Sequence, residues 1–345
     1  MRVAVVGAGV VGLSVGVRLL ELDHAVTVFE QGEVMGERSV GSSRIFRLAH
    51  REPVLVELAA EARSLWTGWE QRAGVELIET TGTVVSGGNV SEWADAMSAA
   101  GASHHLATGD ELRLPTTHLP SMGLLDPAGG VLLAERIGTT LSGWLGAAVR
   151  RAQVLSVSPD ATVTTASGTE PFDAVVLCAG TGTPSLAAPL GLAVPDVLEH
   201  HARFSFRLRP GVAALALQAW LATSETSSFG SYQHLTADGL WAVGGGVDPA
   251  DAAWSLGRDE SIARQRQAVT RYATTSLDLV DPDPVETLYC TPNLGLDDGF
   301  RILRAGPVLA VFGDNLFKMA PVLSHRTVAA LLDEDAPTVF GAAYS

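Results

Sequence analysis

The first thirty residues alternate between apolar runs and polar breaks in a regular order. Val3 to Val6 form a run of β-branched and small residues that is typical of a buried parallel strand. Val11 to Leu20 have the spacing of a helix, and a second strand is predicted from Ala25 to Phe29, ending at Glu30. This order of strand, helix and strand indicates the start of an α/β domain with a parallel sheet.

The same patterning predicts two kinds of segment along the rest of the chain. The segments from Val75 to Leu132 and from Val194 to Leu288 are rich in short strand-like runs, as in GTVV, FSFRLR and LWAVGGGV, which is typical of a mixed or antiparallel sheet. Asp173 to Cys178 form a continuous apolar run, and VLAVFGDNLFKMAPVLSHRTVAALL predicts a strand, a turn and a helix, so both return to the parallel sheet. Further helices are predicted at Pro53–Ala73, Val90–Ala100, Ile137–Val149 and Asp259–Ser276.

Three glycines, Gly7, Gly9 and Gly12, stand where the first strand must turn into the first helix. Such spacing permits a tight turn, a close approach of backbone amides to a pyrophosphate, and close packing of the helix on the sheet. Glu30 is then placed to accept hydrogen bonds from an adenosine ribose. A βα turn without a ligand is the alternative. A secretion signal is disfavoured because no small-residue cleavage site follows the apolar run.

Composition narrows the class of protein. With 345 residues, 47% of them hydrophobic, the chain is long enough for two domains. A net charge of −15 disfavours nucleic acid and anionic membranes as partners. Two cysteines are too few for a disulfide framework or a zinc site, and the longest apolar stretch, Val212 to Ala222, is too short to span a bilayer. We therefore expect a cytoplasmic protein without metal. Basic residues are 22 arginines and one lysine, Lys318.

Several motifs resemble the D-amino-acid-oxidase superfamily, in particular its branch of monomeric sarcosine oxidases and N-methyl-amino-acid oxidases. They are VVGAGVVG, GSSRIFRLAHRE, LLDPAGGVLL, VVLCAG and LFKMAP. The resemblance implies a Rossmann-like FAD-binding domain, discontinuous in sequence, beside a substrate domain, and oxidation of a C–N bond by hydride transfer to flavin N5. The corresponding expectation is an FAD-binding domain of residues 1–74, 133–190 and 292–345, and a substrate-binding domain of residues 75–132 and 191–291.

The resemblance also implies roles for individual residues. The flavin-facing arginine of the family matches Arg44, and its pair that binds the substrate carboxylate matches Arg47 and Lys318. The family cysteine that attaches the flavin falls at Leu288, so FAD is expected to be non-covalent. The remaining candidate contacts to the cofactor lie in the motifs and in the strand that carries the adenine-contacting valine: Gly7, Gly9, Val10, Val11, Gly12, Glu30, Ser42, Ser43, Val154, Ala179, Gly180, Gly313, Asp314, Asn315, Leu316, Phe317 and, besides its role toward the substrate, Lys318.

Some of these residues allow simpler interpretations. Arg44 and Arg47 are three apart, so on a helical turn both could be surface residues paired with acids. Asp314 could contact a ribityl or phosphate group, although a helix N-cap is the more common role of such an aspartate. The histidine pairs 104–105 and 200–201 lack the spacing of metal ligands and are predicted to lie in solvated loops.

The sequence departs from the family at positions that bear on reactivity. Trp241 occupies the place of a family lysine that stands over the flavin and promotes its reaction with oxygen, and Val40 and Gly245 match positions of family histidines. The electron acceptor is therefore either oxygen or another, unknown molecule.

Three functions follow from the sequence. The first is FAD-dependent oxidation of a small-molecule amine, expected to bear a carboxylate, to an imine. The second is an NAD(P)H-dependent flavin monooxygenase of the hydroxylase type, because VFGDNLFKMAP loosely resembles a motif of that group. The third is a flavin-binding protein with little turnover.

Overall fold

The computed structural model describes the chain except for residues 89, 224–229, 246, 292–298, 334 and 341–345. Of residue 215 it describes the backbone alone. The helices within it are α1 (Val10–Glu21), α2 (Pro53–Ala73), α3 (Val90–Ala99), α4 (Ala134–Leu145), α5 (Thr183–Ala187), α6 (Pro249–Ala252), α7 (Arg258–Ser276) and α8 (Leu316–Leu332).

The strands of the first half are β1 (Arg2–Val6), β2 (Ala25–Glu30), β3 (Ser43–Phe46), β4 (Ile78–Glu79), β5 (Thr83–Ser86), β6 (His105–Ala107), β7 (Gly123–Asp126), β8 (Gly130–Leu133), β9 (Val149–Arg151), β10 (Val154–Val157), β11 (Thr162–Thr165) and β12 (Gly168–Pro171). Those of the second half are β13 (Ala174–Leu177), β14 (His201–Leu208), β15 (Ala219–Ala222), β16 (Ser231–Leu235), β17 (Trp241–Gly245), β18 (Val280–Cys290), β19 (Phe300–Ala305), β20 (Val308–Gly313) and β21 (Val339–Phe340).

A seven-stranded sheet forms the first layer, in the order β21-β19-β20-β13-β1-β2-β9. Strands β20, β13, β1, β2 and β9 run parallel, and β19 and β21 add an antiparallel edge. Helices α1 and α8 pack against each other in one apolar core, which includes the buried Leu13 and Leu323. This sheet is the predicted Rossmann-like parallel sheet, built from widely separated parts of the chain.

An eight-stranded sheet forms the second layer, in the order β18-β14-β17-β16-β15-β5-β7-β6. All of its pairings are antiparallel except β15 with β5. Two smaller sheets, β3-β8-β4 and β10-β11-β12, complete the strands. The α/β class with a mixed second sheet is confirmed. The predicted domain boundaries stay a prediction, and the one at residue 292 lies outside the described residues.

One predicted helix is shorter than expected. The pattern suggested a helix from Ile137 to Val149, whereas α4 ends at Leu145 and Val149 already belongs to β9. Gly146 follows α4 with φ of +51°, a conformation that ends a helix and that glycine adopts at little cost. The chain can therefore leave the helix and join the parallel sheet beside β2.

Candidate functional site

The glycine turn after β1 leaves no space for side chains. Gly7 has φ of +102°, and a Cβ added there would lie 2.4 Å from the carbonyl oxygen of Cys178. A Cβ on Gly12 would lie 1.8 Å from the carbonyl oxygen of Gly7. Both distances are far shorter than a van der Waals contact between carbon and oxygen, so the turn requires glycine at these two positions. The close approach also brings Ala179, just after β13, against the turn.

The N-terminus of α1 is suited to a phosphate group. The helix has no acidic residue in its first turn and no side-chain bond at its N-cap, Gly9, so its dipole is not compensated from within the helix. The amide of Val10 donates to Ser39 Oγ at 3.0 Å. Three residues after Ser39, the buried Ser42 hydroxyl has no hydrogen-bond partner in the described part of the chain. A glycine cradle, a helix N-terminus and an unsatisfied hydroxyl together fit the pyrophosphate of FAD.

Glu30 lies beside this turn at the end of β2. Its Oε2 accepts from the amide of Ala8 at 2.8 Å, and its Oε1 accepts from the amide of Gly32 at 2.8 Å. The carboxylate is thus fixed in orientation at the carboxyl end of the strand next to β1. This is the position from which an acidic residue contacts a ribose in nucleotide folds.

The other cofactor candidates follow parallel strands or lie near them. Gly180 follows β13, and Gly313 ends β20, its neighbour in the sheet. Because neighbouring parallel strands end at the same edge, these positions lie at the edge of the sheet that carries the glycine turn. Val10 and Val11 begin α1, Leu316 and Phe317 begin α8, and Val154 is buried on β10.

Asp314 does not cap α8. The N-cap position is Asn315, which has φ of +49° and no side-chain bond to the helix. The carboxylate of Asp314 lies 3.5 Å from Arg38 Nη2 instead. The N-cap interpretation is therefore wrong, since the turn places residue 315, not residue 314, directly before the helix.

Arg44 belongs to strand β3, which excludes the helical-turn interpretation. Its guanidinium donates to the carbonyl oxygens of Ser43 at 2.7 Å and of Arg38 at 3.2 Å, and lies 5.6 Å from the centre of the Phe317 ring. Burial, and secondly the positive charge of Arg203, lower the pKa of Arg44 to about 10. Arg44 is therefore an inward-facing cation between β3 and the start of α8.

Arg47 and Lys318 are also buried, with 8% and 5% of their surface exposed. Arg47 follows β3, donates to the carbonyl oxygen of Ala49, and lies 5.3 Å from the centre of the Trp93 ring. Lys318 lies in the first turn of α8, a helix that contacts β3, and its carbonyl oxygen accepts from Trp66 Nε1 at 2.9 Å. The fold thus places one buried cation on α8 and another directly after β3, which contacts α8, although the two residues are far apart in the chain.

Asp126 fixes the backbone that follows Arg47. It is buried at the end of β7 and accepts hydrogen bonds from the amides of Leu48 at 2.5 Å and Ala49 at 3.2 Å. Burial raises the pKa of Asp126, whereas these amides and the charge of Arg47 act in the opposite direction. The sequence analysis did not single out this residue, although it lies in the LLDPAGGVLL motif.

Trp241 lies apart from the other candidates. Its side chain is fully buried among Phe206, Leu235 and residues of α7, and its Nε1 donates to Gln233 Oε1 at 2.8 Å. Paired residues of neighbouring strands share a face, so Trp241 occupies the face of the eight-stranded sheet turned toward α7. The expectation that Trp241 stands over the flavin does not fit this placement.

The opposite face of that sheet carries polar side chains that the sequence analysis missed. Arg203 on β14 donates to the carbonyl oxygen of Ser43 at 3.0 Å and to His234 Nε2 at 3.2 Å. His234 Nε2 also lies 3.0 Å from Ser43 Oγ, and His201 Nε2 lies 2.6 Å from Tyr232 Oη. This face therefore meets β3 at the residues predicted to contact FAD.

The prediction that His200 and His201 lie in a solvated loop is wrong. His201 opens β14, and His200 is 3% exposed and stacks on Trp254 with ring centres 4.4 Å apart. Burial, and secondly Arg203, lower the pKa of His201 to about 4 and hold the pKa of His234 well below its usual range. Both rings are neutral at pH 7. Their signal was the alternation of polar and apolar residues in HHARFSFR, which places the polar ones on one face of a strand.

The described residues contain no group of three or more His, Cys, Asp or Glu side chains that could hold a metal ion. Within the same residues, no helix has both the length and the apolar character needed to cross a membrane.

Comparisons with known proteins identify the family and the fold. Residues 2–330 match the model of the DAO family, described as FAD dependent oxidoreductase. Human peroxisomal sarcosine oxidase is 30% identical over 207 residues, which cover 55% of this chain and 53% of the human protein. A putative sarcosine oxidase of Caenorhabditis elegans is 33% identical over 147 residues, 39% of this chain and 37% of that protein. The matches thus span about half or less of these relatives.

Among solved structures, NikD, an unusual amino acid oxidase essential for nikkomycin biosynthesis, superposes with a TM-score of 0.82 and 25% identity, over 98% of this chain and 97% of that one. L-proline dehydrogenase from P. horikoshii superposes with a TM-score of 0.80 over 97% of this chain and 94% of that one, and its 15% identity shows the shared fold alone.

Proposed function

We propose that this chain, which belongs to the DAO family of FAD-dependent oxidoreductases, oxidises the C–N bond of a carboxylate-bearing amine to an imine. The supporting observation is the burial of Lys318 on α8 and of Arg47 directly after β3, the strand that contacts α8 and carries Ser43 and Arg44. The family resemblance assigns this pair of cations to the substrate carboxylate, and a carboxylate is the anion that an amino acid carries.

The two cations suit different tasks. The planar fork of Arg47 can form two parallel hydrogen bonds to a carboxylate, while the Lys318 ammonium is a compact charge that needs no fixed plane. Asp126 and the aromatic ring of Trp93 restrict the position of the Arg47 segment. Together these residues would hold the substrate by its acid group and leave its amine carbon free to approach the flavin.

FAD, when bound, supplies the acceptor for the two electrons and the hydrogen removed from the C–N unit. The chain's residues would orient it. Glu30 would bind the ribose, the N-terminus of α1 and the Ser42 hydroxyl would bind the pyrophosphate, and Ser43 and Arg44 would contact the flavin end. His201 and His234 are neutral at pH 7 and so add no charge to the pocket.

Anaerobic mixing of the FAD-loaded protein with N-methyl, cyclic and D-amino acids tests the proposal. We expect at least one carboxylate-bearing amine to bleach the flavin absorbance without NADPH. Bleaching only after NADPH is added would indicate the hydroxylase, and no bleaching under either condition would indicate a binding protein with little turnover.

Variants of Arg47 test the carboxylate contact. Arg47→Ala should raise the apparent dissociation constant of the bleaching substrate by about tenfold or more, because a hydrogen bond to a charged group contributes about 1.5–3 kcal/mol. Arg47→Lys should recover only part of the affinity, since the fork is lost. Arg51→Ala is the matched control, because Arg51 is exposed and lies 5.7 Å from the centre of the same Trp93 ring. Equal affinities for all four proteins would contradict the assignment.

A further inference from the structure

Arg203 is a buried cation with unused hydrogen-bonding capacity. Its side chain is 4% exposed, and only Nη1 is hydrogen-bonded, to Ser43 and His234. Nε and Nη2 are buried and have no partner among the described residues. Leaving two buried donors unsatisfied costs stability, and native structures show this rarely.

The charge of Arg203 also has no ion-pair partner among the described residues. In the described part of the chain, no carboxylate oxygen lies within 4.0 Å of either Arg203 or Arg44. Glu286 is the acid that acts on Arg203 through its charge, and its Oε2 accepts from Ser205 Oγ at 2.6 Å. Two guanidinium groups therefore approach one another without an ion pair.

These two groups even share an acceptor. Arg44 Nη1 lies 2.7 Å and Arg203 Nη1 lies 3.0 Å from the carbonyl oxygen of Ser43. Ser43 and Arg44 are predicted to contact the flavin, so positive charge is concentrated directly behind that contact. Leu288, which occupies the place of the flavin-attaching cysteine, pairs with Arg203 in the sheet and lies against Gly41.

A purely structural role explains this arrangement poorly. If Arg203 were removed, the Ser43 carbonyl would keep its bond from Arg44, and His234 Nε2 would keep Ser43 Oγ within 3.0 Å. No buried carboxylate would be left without its partner. Burying a charge without an ion-pair partner costs folding free energy, so an apolar side chain of similar length at this position would remove that cost. Because the buried charge lowers the stability of the fold, we expect it to serve a function.

We propose that Arg203 is a positioned positive charge that stabilises the negative charge of the reduced flavin and so raises its reduction potential. Transfer of a hydride brings two electrons and one proton to the oxidised ring, which therefore gains one negative charge. The Arg203 cation acts on that charge through space and does not need to touch the ring. The inference rests on the proposed function for the place of the flavin, but not on the identity of the amine.

The test compares Arg203→Met, Arg203→Lys and Arg207→Met as FAD-loaded proteins without any amine. Arg207 is the matched control, because it lies on the same strand and is exposed. Reduction potentials are measured by equilibration with redox dyes, and sulfite affinity by flavin absorbance, since the sulfite adduct also places negative charge on the ring. We expect Arg203→Met to bind sulfite about tenfold more weakly and to have a potential lower by about 30 mV, which is the tenfold equivalent for two electrons.

Arg203→Lys should keep most of the native potential, because the charge remains although the fork is lost. Arg207→Met should match the native protein. A potential of Arg203→Met equal to that of the native protein would overturn the inference. If Arg203→Met does not retain FAD, Arg203→Gln allows the same comparison. Loss of FAD from both neutral variants but not from Arg203→Lys would support a role of the charge, and loss from all three would assign Arg203 to the scaffold.

These outcomes are separable from those of the amine experiment. The potential and the sulfite affinity are read without substrate, so they can shift as expected even if no amine in the panel bleaches the flavin. Conversely, an amine can bleach the flavin of all variants equally while the potentials remain the same, which would overturn only the role of Arg203.

Discussion

Both carboxylate oxygens of Glu30 accept hydrogen bonds from backbone amides, one from Ala8 and one from Gly32. These bonds orient the carboxylate before any ligand binds, so little side-chain entropy is lost when a ribose reaches it.

Glu30→Ala should weaken FAD binding by about tenfold or more, because a hydrogen bond to a charged group contributes about 1.5–3 kcal/mol. The dissociation constant, measured by flavin fluorescence, checks this. Glu33→Ala is the control, since Glu33 is exposed and pairs with Arg151 at the surface. Equal FAD affinity of the two variants would remove Glu30 from the cofactor site.

The neutral histidines make stability depend on pH. The pKa of His201 is about 4 in the fold and about 6.5 in the unfolded chain, so the unfolded chain binds more protons between these values. The contribution of the neutral His201 ring to the free energy of unfolding is therefore fully present above about pH 6.5 and is lost as the pH falls toward 4. A shift of this size corresponds to about 3 kcal/mol in the free energy of unfolding.

Urea unfolding between pH 7 and pH 4.5, with excess FAD, should show this loss for the native protein. For His201→Gln the free energy of unfolding should change less with pH than in the native protein. His105→Gln, at an exposed position, should show the native pH dependence. Profiles of equal slope for the native protein and His201→Gln would show that His201 does not cause the loss.

At the scale of elements, the turn between β1 and α1 depends on the absence of side chains. Gly12→Ala should prevent the turn from forming, because its Cβ would overlap the Gly7 carbonyl oxygen, a backbone atom that cannot rotate away. We expect loss of FAD binding and a loss of unfolding free energy well above the typical 0.5–3 kcal/mol, measured by urea denaturation.

Gly68→Ala is the control within a helix. Gly68 lies in α2 with no atom within 4 Å of an added Cβ, so alanine there should raise stability by about 0.5–1 kcal/mol. Similar stability of the two variants would mean that the turn relaxes around a methyl group.

Strand β17 shows how alternation decides the role of a residue. Trp241→Lys should lower the free energy of unfolding by about 3–5 kcal/mol, since it replaces a fully buried indole by an unpaired charge. Trp254→Lys, at a tryptophan that is 50% exposed, should lower the free energy of unfolding much less. Thermal and urea unfolding of both variants measure the difference. A Trp241→Lys protein as stable as Trp254→Lys would place the side chain outside the core.

At the scale of the whole molecule, the candidate site lies where the parallel sheet, β3 and the eight-stranded sheet come together. Cations reach it from β3, β14 and α8, which are far apart in sequence. Lys318 is the one lysine of the chain, so if it holds the substrate, no lysine remains to stabilise developing superoxide beside the flavin.

We therefore expect the photoreduced, FAD-loaded protein to react with oxygen about a hundredfold more slowly than lysine-bearing relatives, which corresponds to a few kcal/mol of lost charge stabilisation. Stopped-flow mixing with air-saturated buffer measures the rate. Lys318→Met should impair reduction by the amine and leave reoxidation unchanged. Rapid reoxidation of the native protein would contradict this expectation and indicate that arginines are sufficient to stabilise the developing superoxide.

The sequence by itself determined the features that depend on neighbouring residues. The glycine turn, the strand that ends at Glu30, and helices α2 and α7 were predicted within one or two residues, because steric limits and hydrophobic periodicity act over short distances. Family motifs also predicted FAD, which the family match confirms. Alternation within β14 separates its two faces, but only the three-dimensional fold shows which face meets β3 and which packs on α7. Both faces of β14, β16 and β17 are buried, so hydrophobicity alone does not separate Trp241 on one face from Arg203 and His234 on the other.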